Sequence, residues 1–467
     1  MTTIARDLDV NPLRSRCEGH VLRPSDPGYA DACRGWNIAW TQRPAVVVRA
    51  ATAADVAHAI RFATDHGLAI AVQSTGHGLA VPADDHSLLI VTAELDTVTI
   101  DVDARTATVG GGATWKPVLE AAQKHGLAPL LGSAPHVGAV GYSLGGGVGW
   151  LSRRHGYAVD AIRSLTVVLA DGTVTTTTPR REPELFWALC GTAGSSLGVV
   201  VEMTTALVPV TEVYAGNLFY PLDAAHDVFD RYIAWSDSAS VDLTSAFTIA
   251  SFPPIDAVPQ PLRGQSFAIV RGCVDGPLDD GATLVDSWRS WREPLIDTWD
   301  AMPFTRCADI SMDPVDPVPA ASSGRWLHVL DHRVLDAMLA AVSAEGGPSP
   351  MLFAETRHVG GVGNSPNPAV SFGARSGQRM LELVGLIAGP GADAELERRF
   401  DATWARLDGA LAPLSGYLNF AEGHERVQAT QRCFDRSTAQ RLAAAKRHYD
   451  PQNVFRHGIP LVDGTTP

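Results

Sequence analysis

Apolar positions along this chain change rhythm several times, and each change marks an element. Ala45 to Val48 is an unbroken apolar run, and with Arg49 it reads as a strand. Over 53–66 the apolar residues fall at Val56, Ala59, Ile60 and Ala63, which is helical spacing. Leu68 to Val72 is unbroken again, so 45–72 predicts a strand–helix–strand unit of near-minimal length. Thr52 is placed to cap the helix, Asp55 adds negative charge to its first turn, and Gly67 stops it. The second strand leads straight into Gln73-Ser74-Thr75-Gly76-His77-Gly78. From 88 to 112 the segments shorten. Leu88–Val91 is an apolar run, and 97–102 and 104–109 alternate around Asp103 and end in three glycines. Residues 115–125 read as an amphipathic helix stopped by Gly126. The runs 164–169 and 174–178 flank Asp171-Gly172, a hairpin signal. A helix at 184–189 and a strand over 198–210 follow, whereas residues 1–44 read as irregular.

Past residue 211 strands (216–220, 244–251, 266–272, 351–358, 380–388) alternate with helices (224–236, 278–292, 331–343, 394–411). That order predicts an antiparallel sheet with helices on one face. The proline-rich stretch 311–323 reads as a surface loop, and 436–448 as a final helix. The expected architecture is α+β in two domains. Residues 1–210, completed by 430–467, form the first, and 211–429 form the second.

Composition narrows the function more than the fold. Among 467 residues, 45% are hydrophobic and 19% charged, which suits a packed globular chain. The net charge of −14 argues against nucleic acid or an anionic membrane as partner. No apolar stretch reaches membrane-spanning length, and the first residues lack the apolar core of a secretory leader, so a cytoplasmic location is expected. The six cysteines lie far apart with no metal-ligand spacing; free thiols and no metal are expected.

Two features carry chemistry. Gly132-Ser133-Ala134-Pro135-His136-Val137-Gly138 continues through Gly141, Tyr142, Gly145 and Gly147 to Gly149. Such glycine density lets backbone N–H groups approach an anion, and pyrophosphate is the natural ligand. No Gly-Lys-Ser/Thr follows, and the tract does not open the first strand–helix unit, so neither a Walker loop nor a dinucleotide fingerprint matches. The second feature is His77 between two glycines at a strand end, open to roles as base, metal ligand or covalent attachment point.

Taken together, these segments resemble the vanillyl-alcohol-oxidase/p-cresol-methylhydroxylase type of FAD-binding fold, and more narrowly its berberine-bridge-enzyme-like branch. The resemblance rests also on Arg43-Pro44, Leu144-Gly-Gly-Gly-Val-Gly-Trp-Leu151, Arg357-His-Val-Gly-Gly361, Tyr417-Leu-Asn-Phe420 and Tyr449-Asp-Pro-Gln-Asn-Val-Phe455. It implies a two-lobed FAD-binding domain and a substrate domain. It implies FAD contacts at Ser74, Thr75, Gly76, His77, Gly78, Thr92, Gly132, Ser133, Val137, Gly138, Gly141, Tyr142, Gly145, Gly147, Val200 and Asn453. His77 falls on the histidine bound to the flavin 8α-methyl group. Ala134 stands where many members carry a cysteine linked to flavin C6, so a single covalent bond is expected. Val137 lies where oxygen access is gated, and its small side chain resembles the oxidases.

The branch's tyrosine base is replaced by Phe420, which cannot take a proton. Tyr417, Glu355 and His136 are the remaining candidates for catalysis; Glu355 shares a strand face with Phe353 and Arg357. After Arg456 the chain reads His457-Gly458 where the branch tends to carry asparagines. The implied activity is oxidation of a small metabolite at a C–OH or C–N centre, in secondary metabolism, with hydride passing to FAD and O2 reoxidising it to H2O2. A dehydrogenase using another acceptor is the first alternative. A flavin scaffold that catalyses a non-redox cyclisation, or only binds a metabolite, is the second.

Overall fold

The computed structural model describes residues 8–461, apart from 195, 344–348, 374 and 376. Residues 1–7 of the stretch read as irregular lie outside the described residues. The rest of that stretch is partly ordered: β1 (His20–Leu22) pairs antiparallel with β2 (Val46–Arg49). The first sheet is completed by β3 (Ala69–Gln73) and β4 (Ser87–Val91), in the order β1-β2-β4-β3. Thus β2 and β3 run parallel, as a strand–helix–strand unit requires, but β4 lies between them. Every residue of β4 is buried, and this strand, apolar from Leu88 to Val91, takes the centre of a sheet covered on both faces. The connecting helix, Ala53–Asp65, starts with a reciprocal Thr52/Asp55 capping box, worth about 1 kcal/mol.

The second sheet is antiparallel. It contains β5 (Val98–Asp101), β6 (Thr106–Gly110), β7 (Ile162–Val168), β8 (Val174–Thr177) and β9 (Val199–Ala206), in the order β5-β6-β9-β7-β8. Val168, Val199 and Val201 share one apolar core with the Ala53–Asp65 helix. The C-terminal segment returns to the same core through Val454 and Phe455, and the Val454 carbonyl accepts from Ile70 N at 2.7 Å. Buried Lys446 pins this return. Its ammonium donates to Asp450 (2.6 Å) and to the carbonyls of Ser196 (2.7 Å) and Phe455 (3.1 Å), so the charge is paired rather than stranded.

The third sheet has nine strands: β10 (Glu212–Pro221), β11 (Leu243–Ser251), β12 (Ser266–Val274), β13 (Ile296–Asp297), β14 (Asp300–Pro303), β15 (Ala320–Leu327), β16 (Met351–His358), β17 (Arg379–Leu386) and β18 (Leu411–Ala421). All recorded pairings are antiparallel, in the order β13-β10-β12-β11-β16-β17-β15-β18, with β14 also on β10. One face is apolar (Tyr220, Phe247, Val270, Leu381, Leu383) and is covered by the helices Ala225–Ser238, Leu278–Trp291, His332–Val342 and Ala392–Arg406. Trp288 is part of this packing. The other face carries Thr248, Arg271, Glu355, Arg357 and Glu382. Four strands of this sheet escaped the sequence reading: the short β13 and β14, and the longer β15 and β18. β15 begins inside the proline-rich stretch, and β18 follows a helix that ends at Arg406 instead of 411. Both are short on apolar alternation because β15 lies between β17 and β18, so neighbouring strands supply its burial.

Among the described residues no helix is long and apolar enough to cross a membrane. All six cysteines are free, and no group of His, Cys, Asp and Glu among the described residues is arranged to hold a metal.

Candidate active site

A cavity of about 350 Å³ lies where the three sheets meet. One wall is the loop after β3, with Ser74, Thr75, Gly76, His77 and Gly78. Thr92, just past β4, joins it; its hydroxyl donates to the Gly111 carbonyl at 3.1 Å. Gly132, Ser133, Ala134, His136, Val137, Gly138, Gly141 and Tyr142 continue the wall, and Val200 of β9 closes it. A Cβ built on Gly138 would lie 3.1 Å from Ser74 Oγ, so the two loops meet backbone to side chain. Gly76 has φ +74°, a left-handed turn open to glycine.

Thr75 Oγ1 lies 2.7 Å from His77 Nδ1, and Nε2 is buried without a partner among the described residues. Burial, and then the neighbouring His136, push the His77 pKa down to about 3, so its ring is neutral at pH 7. The two rings are 5.1 Å apart. Burial lowers His136 as well, against the opposing charge of Asp313.

Another wall comes from the third sheet and the segments around it. Asp313, Pro314, Val318, Ala320 and Ser322 reach the cavity from the stretch read as a surface loop. Phe353, Arg357, Glu382, Asn419, Phe420, Glu422, Arg426 and His457 also line it. Register explains the charged group. Thr248, Glu355 and Glu382 stand side by side on β11, β16 and β17. Thr248 Oγ1 donates to Glu355 at 2.7 Å, Arg357 Nε donates to Glu355 at 2.7 Å, and Arg271 lies 3.3 Å away. Burial pushes the Glu355 carboxyl up, but these two guanidiniums outweigh it and hold the pKa below the usual range. Glu382 has only one contact with Arg357, at 3.2 Å. Burial therefore dominates, and Glu382 is pushed up to about 8. Glu422 accepts from Ser322 N and Oγ at 2.8 Å, yet burial still raises it to about 7.

Several residues singled out from the sequence stand elsewhere. Glu355 does not line the cavity; its carboxylate is consumed by the ion pairs behind it. Tyr417 is fully buried, accepts from Val148 N at 3.0 Å, and is pushed up to about 12 by burial. It stands behind the lining, with its oxygen 3.3 Å from Asn419 Nδ2 and its ring edge-on to Phe420 at 4.9 Å. Gly145 and Gly147 also stand off the cavity: the first packs on the Asn419 carboxamide, the second on Ala158 and the Tyr142 ring. Asn453 is exposed, and the cavity contact near it comes from His457. Glu382, Glu422 and Trp36 were missed. A lone glutamate within Met380-Leu381-Glu382-Leu383-Val384 is the one signal that marks Glu382 in the sequence.

Two family descriptions match the segments that build this site. "FAD binding domain" covers residues 44–178, and "Berberine and berberine like" covers 416–460. The chain thus carries an FAD-binding segment and a berberine-like segment, and it is similar to FAD-linked oxidoreductases over nearly its whole length. It is 28% identical to (R)-6-hydroxynicotine oxidase of Paenarthrobacter nicotinovorans over 95% of this chain and 96% of that protein. It is 27% identical to an FAD-linked oxidoreductase of Pyricularia oryzae over 92% and 87%. Its fold matches 6-hydroxy-D-nicotine oxidase from Arthrobacter nicotinovorans with a TM-score of 0.84, at 24% identity, over 98% and 100% of the two chains. It matches BBE-like 1 of Physcomitrella patens with a TM-score of 0.83, at 19% identity, over 98% and 100%.

The berberine-bridge-enzyme-like chains bind FAD, and the lining here fits that group. Buried polar atoms are normally paired. Ser74 Oγ, His77 Nε2 and Tyr142 OH are buried without partners among the described residues, and all three belong to residues of one cavity wall. On the same wall a Cβ at Gly141 would meet nothing within 4 Å, so the backbone there stays open to the close approach that a flat ligand and its phosphates need.

Proposed function

We propose that this oxidoreductase removes hydride from a C–N or C–OH centre of a small organic molecule and is reoxidised by O2 to give H2O2. Bound FAD supplies the hydride acceptor. The chain's own groups do the rest. Ser74, Thr75, Gly76, Gly78, Thr92, Gly132, Ser133, Gly138, Gly141, Tyr142 and Val200 hold the cofactor, and His77 is the covalent attachment point. Ala134 offers no thiol for a second bond, and among the described residues no cysteine lines the cavity.

Glu382 carries the reading. Oxidising an O–H or N–H bearing carbon needs a base to take that proton, and the best base titrates near the working pH. Glu382 lines the cavity and titrates near 8 because it is buried with one long ion-pair contact. Glu355 cannot serve, since Arg357 and Arg271 stabilise its charged form. Burial lowers the basicity of His136, which leaves Glu382 the stronger base of the two. Val137, small and on the cavity, leaves room for O2.

The test is the absorbance of purified protein before and after acid precipitation. Yellow in the pellet, moved to the supernatant by His77→Ala, is expected. An anaerobic panel of amines and alcohols then bleaches the flavin, and air restores colour with one peroxide per turnover. A flavin that no such compound bleaches overturns the oxidase reading; one that is bleached but not restored by air makes the enzyme a dehydrogenase.

A further inference from the structure

Trp36 lies in a stretch with no periodic pattern, yet it stands against the central residue of the cofactor wall. Its indole stacks face to face on the His77 ring, with centroids 4.4 Å apart and planes 12° off parallel. His136 tilts against both, 5.7 Å from the indole. The backbone repeats the contact. Trp36 N donates to the Thr75 carbonyl at 2.8 Å and Asn37 N to the Gly76 carbonyl at 3.1 Å. Gly35 and Gly76 approach so closely that a side chain on Gly76 would collide with Gly35. The far edge of the indole is fixed too: Nε1 donates to the Val315 carbonyl at 2.9 Å. Asn37 ties the same proline-rich strap with Nδ2 to the Ala320 carbonyl (2.8 Å) and Oδ1 from Ala320 N (3.2 Å).

We infer that Trp36 is a positioning residue for covalent attachment of the cofactor, holding the His77 ring in the one plane from which its nitrogen meets the flavin's 8α-methyl carbon. The inference rests on His77 being the attachment point. An imidazole on a glycine-flanked loop turns freely about two bonds. Here Thr75 fixes one nitrogen and the indole fixes the plane, so the remaining nitrogen has one direction. In forming the bond the ring gives up its N–H proton and gains a carbon. The methyl group gives up one hydrogen, and the two protons and two electrons released pass to O2 as H2O2. The flat apolar indole also excludes water from the ring, part of the burial that keeps His77 neutral and nucleophilic.

The experiment follows attachment directly. Wild type, Trp36→Phe and Trp36→Leu are produced without FAD. They are then mixed with FAD in air, sampled over time, and scored for acid-precipitable flavin alongside total bound flavin and melting temperature. Trp36→Phe keeps a stacking ring and attaches within a few-fold of wild type. Trp36→Leu keeps total bound flavin but attaches about 100-fold more slowly, the scale of a misplaced reacting group. Attachment by Trp36→Leu at the wild-type rate overturns the inference. So does a parallel loss of bound flavin and melting temperature in both variants, which would make Trp36 a packing residue only. A wild type that holds FAD without any bond removes the His77 reading itself, and with it this one.

Discussion

The cofactor wall and the substrate wall of this cavity differ in how the chain builds them. The first comes from two short continuous stretches, 74–78 and 132–142, with Thr92 and Val200 at their edges. It works with exposed backbone, so its signature is a run of glycines that any reader of the sequence meets in one place. The second collects Glu382 from β17, Arg357 from β16, Asn419 and Phe420 from β18, and Glu422 from the turn beyond it. It works with side chains whose ionisation depends on partners from other strands, Arg357 for Glu382 and Ser322 for Glu422. A site that uses backbone is local in sequence; a site that uses tuned charges is set by register.

The largest expected effect separates two glutamates that face each other across one register. Glu382→Gln should lower kcat/KM by about 10²- to 10⁴-fold, the range for loss of a positioned base, and leave covalent flavin unchanged. In wild type the rate should climb with pH and level off above about 8, as Glu382 loses its proton. Stability should run the other way. The folded state keeps this proton to about pH 8 while the unfolded chain releases it near 4.5, so the native state binds more protons in that window and loses stability as pH rises through it. Glu355→Gln should instead cost about 3–5 kcal/mol in unfolding, because Arg357 and Arg271 lose their buried counter-charge. Should Glu355→Gln abolish the pH dependence at unchanged stability, the two roles are reversed.

A middle-sized effect tests the glycines. Gly138→Ala presses a methyl group to 3.1 Å from Ser74 Oγ at the cavity surface, so FAD affinity should fall about tenfold while the cofactor-free protein melts as before. Gly145→Ala, in the same glycine tract, drives into Asn419 off the cavity. It should lower stability by about 1–3 kcal/mol, with or without cofactor. Titration of flavin into both proteins, beside their melting curves, separates a cradle glycine from a packing glycine.

Legibility follows the same division. The capping box at Thr52, the strand before Gln73 and the hairpin at Asp171-Gly172 were readable because neighbours in sequence cause them. The insertion of β4 between β2 and β3 was not, since pairing order is decided by which strand buries both faces. The strap at 313–320 is polar and proline-rich, as loops are, and only its bonds to Trp36 and Asn37 make it part of the cavity. Glu355 stands out in the sequence because it shares a strand face with Phe353 and Arg357. The deciding quantity, two arginines against one, lies across the sheet.

The smallest effect bears on Tyr417. It opens the stretch Tyr417-Leu418-Asn419-Phe420, and the sequence offers it as a candidate base. The fold spends it on structure: it accepts from Val148 N inside the glycine tract and meets Asn419, which in turn donates to the Tyr142 carbonyl at 2.9 Å. Tyr417→Phe removes an acceptor from a buried N–H and should cost about 1–3 kcal/mol in unfolding. Turnover should stay within a few-fold, and the pH profile, governed by Glu382, should not move. A profile that shifted with Tyr417→Phe would place the phenol in the proton path, and the division between a backbone wall that binds and a charged wall that reacts would no longer hold.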